Sequence, residues 1–115
     1  INQPGWTPLH YAASGGSVEM VRWLLDNDAY IDAESPNRTT PIMMAARQGQ
    51  LEVIRLLSEQ GADPTVRNDA GLQLADYLER RGQADWAAWA RRRTRNFELR
   101  YGTRSSAQGS PNASP

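Results

Sequence analysis

The feature that most constrains this chain is a sequence pattern that returns every 33 residues. Thr7-Pro8 and Thr40-Pro41 lie 33 residues apart, and the stretches that follow align in one register, TPLHYAASGGSVEMVRWLLDND over TPIMMAARQGQLEVIRLLSEQG. A third, degenerate copy, QLADYLERRGQADWAAWARRR, follows at the same spacing. A unit of this length cannot bury its own apolar face, so the pattern predicts a stack of units that share one extended core.

Each unit predicts two short antiparallel helices joined by a turn. Thr7 and Thr40 are expected to be N-cap residues whose hydroxyls accept from backbone N–H groups, with a proline at the next position, where its missing N–H costs nothing. Gly16 is expected to end the first helix in a left-handed turn. Apolar residues at helical spacing mark the second helix, in which Trp23 is expected to pack against a neighbouring second helix. Polar, turn-rich segments between units predict projecting, hairpin-like fingers.

The first two copies resemble the ankyrin repeat family. The family's hallmarks are a Thr-Pro-Leu-His turn, an Ala-Ala pair, a glycine, and a Leu-rich second helix that ends in Gly-Ala-Asp. In this sequence these elements are Thr7-Pro8-Leu9-His10, Ala12-Ala13, Gly16, Leu24-Leu25 and Gly61-Ala62-Asp63. The resemblance covers about residues 2–93 and implies an all-α solenoid of stacked helix-turn-helix units with projecting hairpin-like fingers.

The period divides the chain into a repeat domain and a tail. We predict an ankyrin repeat domain over residues 1–101, with units at about 2–34, 35–67 and 68–101. The third unit has lost the Thr-Pro-Leu-His motif and carries charges along its first helix, which is typical of a C-terminal capping repeat. Residues 102–115 are small and polar and predict a disordered tail. Because the sequence opens at the end of a unit whose helices are absent, we interpret the chain as lacking N-terminal repeats.

The sequence offers no set of residues for catalysis, metal binding or a cofactor. It has no cysteine and a single histidine, His10, which leaves no thiolate chemistry and no Cys-based zinc site. Ser14 and Asp32 do not complete a nucleophile–base–orienter set with that histidine. We therefore predict a protein that is not an enzyme, binds no metal and uses no cofactor. The resemblance implies that His10 is structural and ties neighbouring loops together.

The charge of the chain is unevenly distributed. Residues 1–79 carry 5 arginines against 11 acidic residues, whereas residues 80–115 carry 8 arginines against 2. All thirteen basic residues are arginine, a bias that predicts a bacterial source with a GC-rich genome. The lack of cysteine fits a soluble protein of the cytoplasm or of the bacterial periplasm equally well.

The resemblance also implies a function. Ankyrin-like proteins bind other proteins through a concave face made of finger tips and the exposed side of the first helices. Trp6 and Arg47 are the strongest single candidates, because Trp and Arg are enriched among residues that dominate binding energy; for Trp6 the alternative is that it only covers the adjacent finger. The predicted concave face consists of Gln3, Pro4, Trp6, Ser14, Asn37, Thr39, Arg47, Gln48, Asp69, Leu72, Arg80 and Arg81.

A second hypothesis rests on the C-terminal segment. Aromatic residues at helical spacing and a run of arginines are compatible with a helix that binds nucleic acid or an anionic membrane surface. The basic residues in question are Arg91, Arg92, Arg93 and Arg95. Alternatively, Trp86 and Trp89 seal the last unit and the arginines keep that end soluble. Self-association through apolar surface is a third alternative, so a homo-oligomer stays open.

Overall fold

The computed structural model describes residues 5–101, and this part of the chain contains six α-helices and no strand. The helices are α1 (Pro8–Gly15), α2 (Val18–Asp26), α3 (Pro41–Arg47), α4 (Leu51–Glu59), α5 (Leu74–Arg80) and α6 (Ala84–Tyr101). First helices begin at residues 8, 41 and 74, and second helices at 18, 51 and 84, so the 33-residue period of the sequence is the period of the structure. The predicted all-α repeat fold is confirmed; we refer to the three helix pairs as units 1, 2 and 3.

The first helices stack to form one layer and the second helices form another. Helix α3 packs between α1 and α5, α2 lies beside α4, and α5 packs along α6. Ala13, Ala45 and Ala46 are fully buried where α1 meets α3, and these small side chains let the two helices approach closely. Larger residues fill the space between the layers, among them Leu57 and Leu78. Burial therefore depends on neighbouring units more than on any unit alone.

Helix α1 begins and ends as the sequence predicts. The Thr7 hydroxyl accepts from the His10 backbone N–H at 3.4 Å, and the Thr7 backbone N–H donates to His10 Nδ1 at 3.1 Å. Pro8 follows at the first helical position. At the other end Gly16 has φ 79° and its N–H donates to the Ala13 carbonyl at 3.2 Å, which is a left-handed helix stop.

Helix α3 departs from the prediction at its first residue. Thr40 is the N-cap, but its hydroxyl makes no capping bond, is wholly buried and has no hydrogen-bond partner within residues 5–101. The prediction that this hydroxyl caps the helix is therefore wrong. Unit 1 has His10 three residues after its threonine, whereas unit 2 has Met43, whose thioether offers no N–H and accepts only weakly.

Two turns keep a left-handed backbone without glycine. Asp28 has φ 71° at the position that Gly61 holds in the next unit, and Arg38 has φ 66° at the position of Gly5 and Gly71. The backbone of the repeat is thus preserved where its usual residue is not. A side chain in this conformation costs about 1 kcal/mol, so both turns weaken the stack slightly.

The connections between units project less than the sequence suggests. Residues 62–66 are buried, and the exposed part of the second connection begins only at Arg67. Hydrogen bonds join successive connections: the Asp63 N–H donates to the side-chain Oδ1 of Asp32 at 2.9 Å, and the Asp69 N–H donates to the Asn37 backbone carbonyl at 2.9 Å. The tips of neighbouring fingers are therefore held at a fixed separation.

The second helices differ in how well they are covered. Leu56 in α4 is 5% exposed and Trp89 in α6 is partly buried against the core, but Trp23 at the equivalent position in α2 is 59% exposed. The prediction that Trp23 packs against a neighbouring second helix is wrong, since most of the surface of this residue is in solvent. No helix within residues 5–101 has the length and apolarity needed to cross a bilayer.

Candidate functional site

The only histidine of the sequence connects two units. His10 is completely buried; its Nδ1 accepts from the Thr7 N–H at 3.1 Å, and its Nε2 donates to the Thr39 carbonyl at 2.7 Å. Burial lowers the pKa of His10 below 6.5, partly opposed by the Thr39 and Ala33 carbonyls. The neutral ring, protonated at Nε2, satisfies both bonds, so the geometry gives His10 a structural role.

Thr39 was predicted to lie on the concave face and does not. Only 4% of its surface is exposed, because both its backbone and its side chain are used inside the molecule. Its carbonyl accepts from His10, its N–H donates to Ser35 Oγ at 3.1 Å, and its hydroxyl accepts from Asn68 Nδ2 at 3.2 Å. Thr39 therefore ties the three units together and is withdrawn from the candidate face.

Asn68 is an organising residue that the sequence did not reveal. It is buried, and besides Thr39 its Nδ2 donates to the Tyr77 hydroxyl at 2.6 Å. Its Oδ1 accepts from the Ala70 and Leu72 N–H groups at 3.0 and 3.1 Å, which shapes the finger of unit 3. The available signal was its place before Asp-Ala-Gly, since asparagine at the start of a turn often bonds the backbone two residues on.

The unit 1 part of the predicted face is only partly described. Gln3 and Pro4 lie outside residues 5–101. Trp6 is half-buried, with its ring edge-on to His10 at a centroid distance of 5.2 Å and an angle of 74°. Ser14 is half-buried and its carbonyl accepts from Gln50 Nε2 at 3.0 Å. Trp6 therefore covers the histidine and also keeps part of its surface in solvent.

Units 2 and 3 bring the exposed members of the predicted face together. They are Asn37, Arg47, Gln48, Asp69, Arg80 and Arg81, while Leu72 is half-buried. Their backbones are tied across the unit boundary by the Asp69–Asn37 bond and by Arg81 Nη1, which donates to the Arg47 carbonyl at 3.2 Å. The side chains thus stand in solvent on a backbone that is already fixed.

Three arginines of this face have no acidic partner within the described residues, a property that they share with Arg22, Arg92 and Arg95. Arg47, Arg80 and Arg81 form no ion pair with any residue of the described part. By contrast, Arg67 lies 3.9 Å from an Asp76 carboxylate oxygen, and Arg38 lies 3.5 Å from Glu34. The three unpaired guanidinium groups are available to a partner's acceptors.

The basic C-terminal segment is partly engaged within the molecule. Arg91 bonds Glu79 and lies 3.6 Å from Asp76. Arg93 donates to the Ser58 carbonyl at 3.3 Å and sits over the Trp89 ring, 5.4 Å from its centroid. The other two, Arg92 and Arg95, are exposed and form no ion pair within residues 5–101. Half of the predicted anion-binding set therefore already has partners on α4, α5 and α6.

A cleft of about 450 Å³ lies between α4 and α6. It is lined by the two tryptophans of α6, whose rings meet edge-to-face at 5.1 Å, and Arg55 lies 5.7 Å from the centroid of Trp86. The two tryptophans are partly buried against the core where unit 3 meets unit 2. No group of three metal-ligating side chains occurs within the described residues.

Comparison with protein families gives one match. The model described as "Ankyrin repeats (3 copies)" matches residues 1–68, which is more than half of the chain. The match ends within the third unit's finger, so the degenerate third helix pair is outside it.

Several curated proteins are similar over the same region. An "Ankyrin repeat, SAM and basic leucine zipper domain-containing protein 1" from Loxodonta africana is 42% identical over 66 residues, 54% of this chain and 14% of its own length. The "Palmitoyltransferase Hip14" of Drosophila melanogaster is 37% identical over 62% of this chain and 12% of its own length. The "E3 ubiquitin-protein ligase KEG" of Arabidopsis thaliana is 36% identical over 60% of this chain and 4% of its own length.

The chain thus spans a seventh or less of the length of these relatives. The activities in the last two names are those of the larger proteins. All three relatives come from eukaryotes, so the bacterial source predicted from the arginine bias has no support.

Proposed function

Because the chain belongs to the ankyrin repeat family, we propose that it binds a partner protein through its concave face. Repeats of this family are generally non-catalytic modules for protein–protein interaction. We define the concave face here as the predicted set without Thr39: Gln3, Pro4, Trp6, Ser14, Asn37, Arg47, Gln48, Asp69, Leu72, Arg80 and Arg81. The role of the chain is then to hold, assemble or inhibit a partner.

The observation that supports this proposal is the combination of exposed side chains with a fixed backbone. Asn37 and Asp69 are exposed, yet the backbones of these two finger tips are bonded to each other at 2.9 Å. Arg47 and Gln48 are exposed at the end of α3, whose backbone Arg81 holds from the next unit. A preformed surface loses little conformational entropy on docking, so modest contacts suffice for binding.

Within this face we propose Arg47 and Trp6 as the main contributors to binding energy. Arg47 is exposed at the end of a buried helix, where its planar guanidinium is suited to bidentate bonds. Trp6 offers a rigid aromatic edge backed by His10. We further propose that the binding domain spans residues 1–101, with units at about 2–34, 35–67 and 68–101.

The experiment is affinity capture from cell extract with immobilised protein, at low and at high salt. Arg47→Ala/Gln48→Ala removes two exposed side chains of the concave face, and the matched control Arg22→Ala/Glu59→Ala removes two exposed side chains of the second helices. We expect one protein to be retained at high salt, lost with the concave-face pair and kept with the control pair. Equal capture by both double variants would contradict the proposal.

The arginine-rich helix is the competing hypothesis, and the same experiment distinguishes it. Arg92→Ala/Arg95→Ala removes two exposed arginines of α6 that have no acidic partner within residues 5–101. Binding to phosphates falls steeply with ionic strength, because condensed counterions are released. Capture of nucleic acid or lipid that is abolished by salt and by this variant would favour α6 as the binding element.

A further inference from the structure

We infer that the partner of the concave face presents an extended acidic segment, and that Arg47, Arg80 and Arg81 receive its carboxylates. This inference rests on the proposed function and adds the chemistry of the partner. It follows from the excess of positive charge on this face, from the absence of acidic partners for these arginines, and from their spacing.

The concave face carries a local excess of positive charge. It has the three arginines against a single carboxylate, Asp69. The second helices α2 and α4 have the opposite balance, since Glu19, Asp26, Glu52 and Glu59 outnumber Arg22 and Arg55. The third second helix, α6, is basic again and carries five exposed arginines. The chain as a whole has a formal net charge of zero, so the excess is a local property of the surface. A face of one sign attracts a partner of the other and orients its approach.

The three arginines are exposed, and one of them, Arg81, is held in place before a partner arrives. None of them forms an ion pair within residues 5–101, although Glu79 is adjacent in sequence to Arg80; that carboxylate is taken by Arg91. Arg81 lies across the turn of unit 2: Nη1 donates to the Arg47 carbonyl at 3.2 Å, and Nε is 2.8 Å from where a Cβ on Gly49 would be. A guanidinium fixed in this way has less rotamer freedom to lose on binding.

The spacing of the arginines matches an extended chain. Arg47 and Arg80 hold the same position in consecutive units, at the last residue of α3 and of α5. Packed helices lie about 8–10 Å apart. An extended peptide in the polyproline II conformation advances about 3.1 Å per residue and completes a turn every three residues, so positions i and i+3 lie on the same side about 9 Å apart. Carboxylates at positions i and i+3 of a partner segment would therefore face the two arginines in turn, with Arg81 between them.

A peptide fits this face better than a nucleic acid does. Proteins that bind duplex DNA commonly neutralise about 6–10 phosphates, whereas this face offers three arginines. Asp69 belongs to the same face and would repel a continuous polyanion. Isolated carboxylates at a fixed spacing avoid this repulsion, so the acidic segment is the occupant that the charges favour.

The test is fluorescence anisotropy with the full chain and a labelled 13-residue peptide that carries glutamate at every third position. We expect binding that falls at least tenfold with Arg47→Glu/Arg80→Glu/Arg81→Glu and less than twofold with Arg22→Glu/Arg92→Glu/Arg95→Glu. The control makes the same change in charge at three other exposed arginines without ion pairs in the described residues. A peptide of the same composition with contiguous glutamates should bind at least threefold more weakly. Thermal unfolding by circular dichroism confirms that both variants are folded.

Three results would overturn the inference. One is an equal loss of peptide affinity with both triple variants, which would mean non-specific attraction. Another is that a 12-nucleotide single-stranded DNA binds through the same three arginines more tightly than the peptide does. The third is no peptide binding while a captured partner protein stays sensitive to Arg47→Ala/Gln48→Ala, which would leave concave-face binding intact. Failure of the proposed function is a different result, namely a captured partner that is insensitive to that double variant.

Discussion

Replacing threonine by valine at two equivalent positions is expected to change stability in opposite directions. Thr7 and Thr40 are both N-caps followed by proline, and they stand 33 residues apart. The Thr7 hydroxyl bonds His10, with Oγ1 at 2.9 Å from Nδ1 and at 3.4 Å from the backbone nitrogen. The Thr40 hydroxyl has no partner within residues 5–101, because Met43 stands in place of the histidine.

The magnitudes follow from these environments. A buried hydroxyl without a hydrogen bond costs about 1–3 kcal/mol, and Thr40 is 0% exposed, so the full penalty applies. Valine keeps the shape and removes the hydroxyl; allowing for the slightly larger methyl group, Thr40→Val should raise the free energy of unfolding by about 1 kcal/mol. Thr7→Val removes a hydroxyl that caps helix α1 and should lower the free energy of unfolding by about 1 kcal/mol. For a domain of this size, 1 kcal/mol shifts Tm by about 4–8 °C.

Urea denaturation of the wild type and both variants, with thermal unfolding by calorimetry, measures the difference directly. Equal m values would show that the comparison is between states of the same compactness. The predicted result is a midpoint above wild type for Thr40→Val and below it for Thr7→Val. If Thr40→Val destabilises as much as Thr7→Val, the hydroxyl of Thr40 is satisfied in solution and the argument from Met43 fails.

Three further predictions concern the turns and the histidine. Because burial lowers the pKa of His10, the unfolded chain binds more protons than the folded chain just below pH 6.5. The free energy of unfolding should therefore fall as the pH drops through 6.5. Denaturation at pH 5.5–7.5 measures this slope, which the variant His10→Gln should lack. Asp28→Gly should raise the free energy of unfolding by about 0.5–1 kcal/mol, because its left-handed backbone favours glycine; a loss in urea denaturation would contradict this. Gly16→Ala should lower the free energy of unfolding by about 1 kcal/mol more than Gly82→Ala in the same assay. Only the first variant places a Cβ 2.5 Å from Gln50 Oε1, which displaces the bond from Gln50 Nε2 to the Ser14 carbonyl. Equal losses in the two variants would refute this contact.

The sequence predicted those parts of the fold that depend on local chemistry. The helix starts at Pro8 and Pro41 and the left-handed turn at Gly16 each follow from a residue with a strong conformational preference, and all three are found. The third unit keeps the glycine, Gly82 with φ 78°, but lacks the Thr-Pro pair, and the place of its first helix was predicted only by carrying the period forward. Its helix start has another cause, since the Gln73 N–H donates to Asp76 Oδ2 at 2.8 Å.

The features that were not predicted depend on contacts between units. Threonine at position 39 is as compatible with an exposed finger as with a buried one; Asn68 and His10, 29 residues away on either side, decide that it is buried. Trp23 is the opposite case: it is an apolar residue at a position that is buried in the next unit, and it is exposed because nothing in the described part of the chain covers it. Periodicity assigns residues to a face of a helix, but the neighbouring units determine whether that face is covered.

Site-specific photo-cross-linking tests the concave-face account most directly. A photoreactive amino acid at Gln48, exposed beside Arg47, would be compared with the same group at Glu52, exposed on α4. The account predicts that the partner protein cross-links from position 48 and not from position 52, and that an excess of unlabelled wild-type chain abolishes the product. Cross-linking from position 52 alone would contradict the account and place the partner on the second helices.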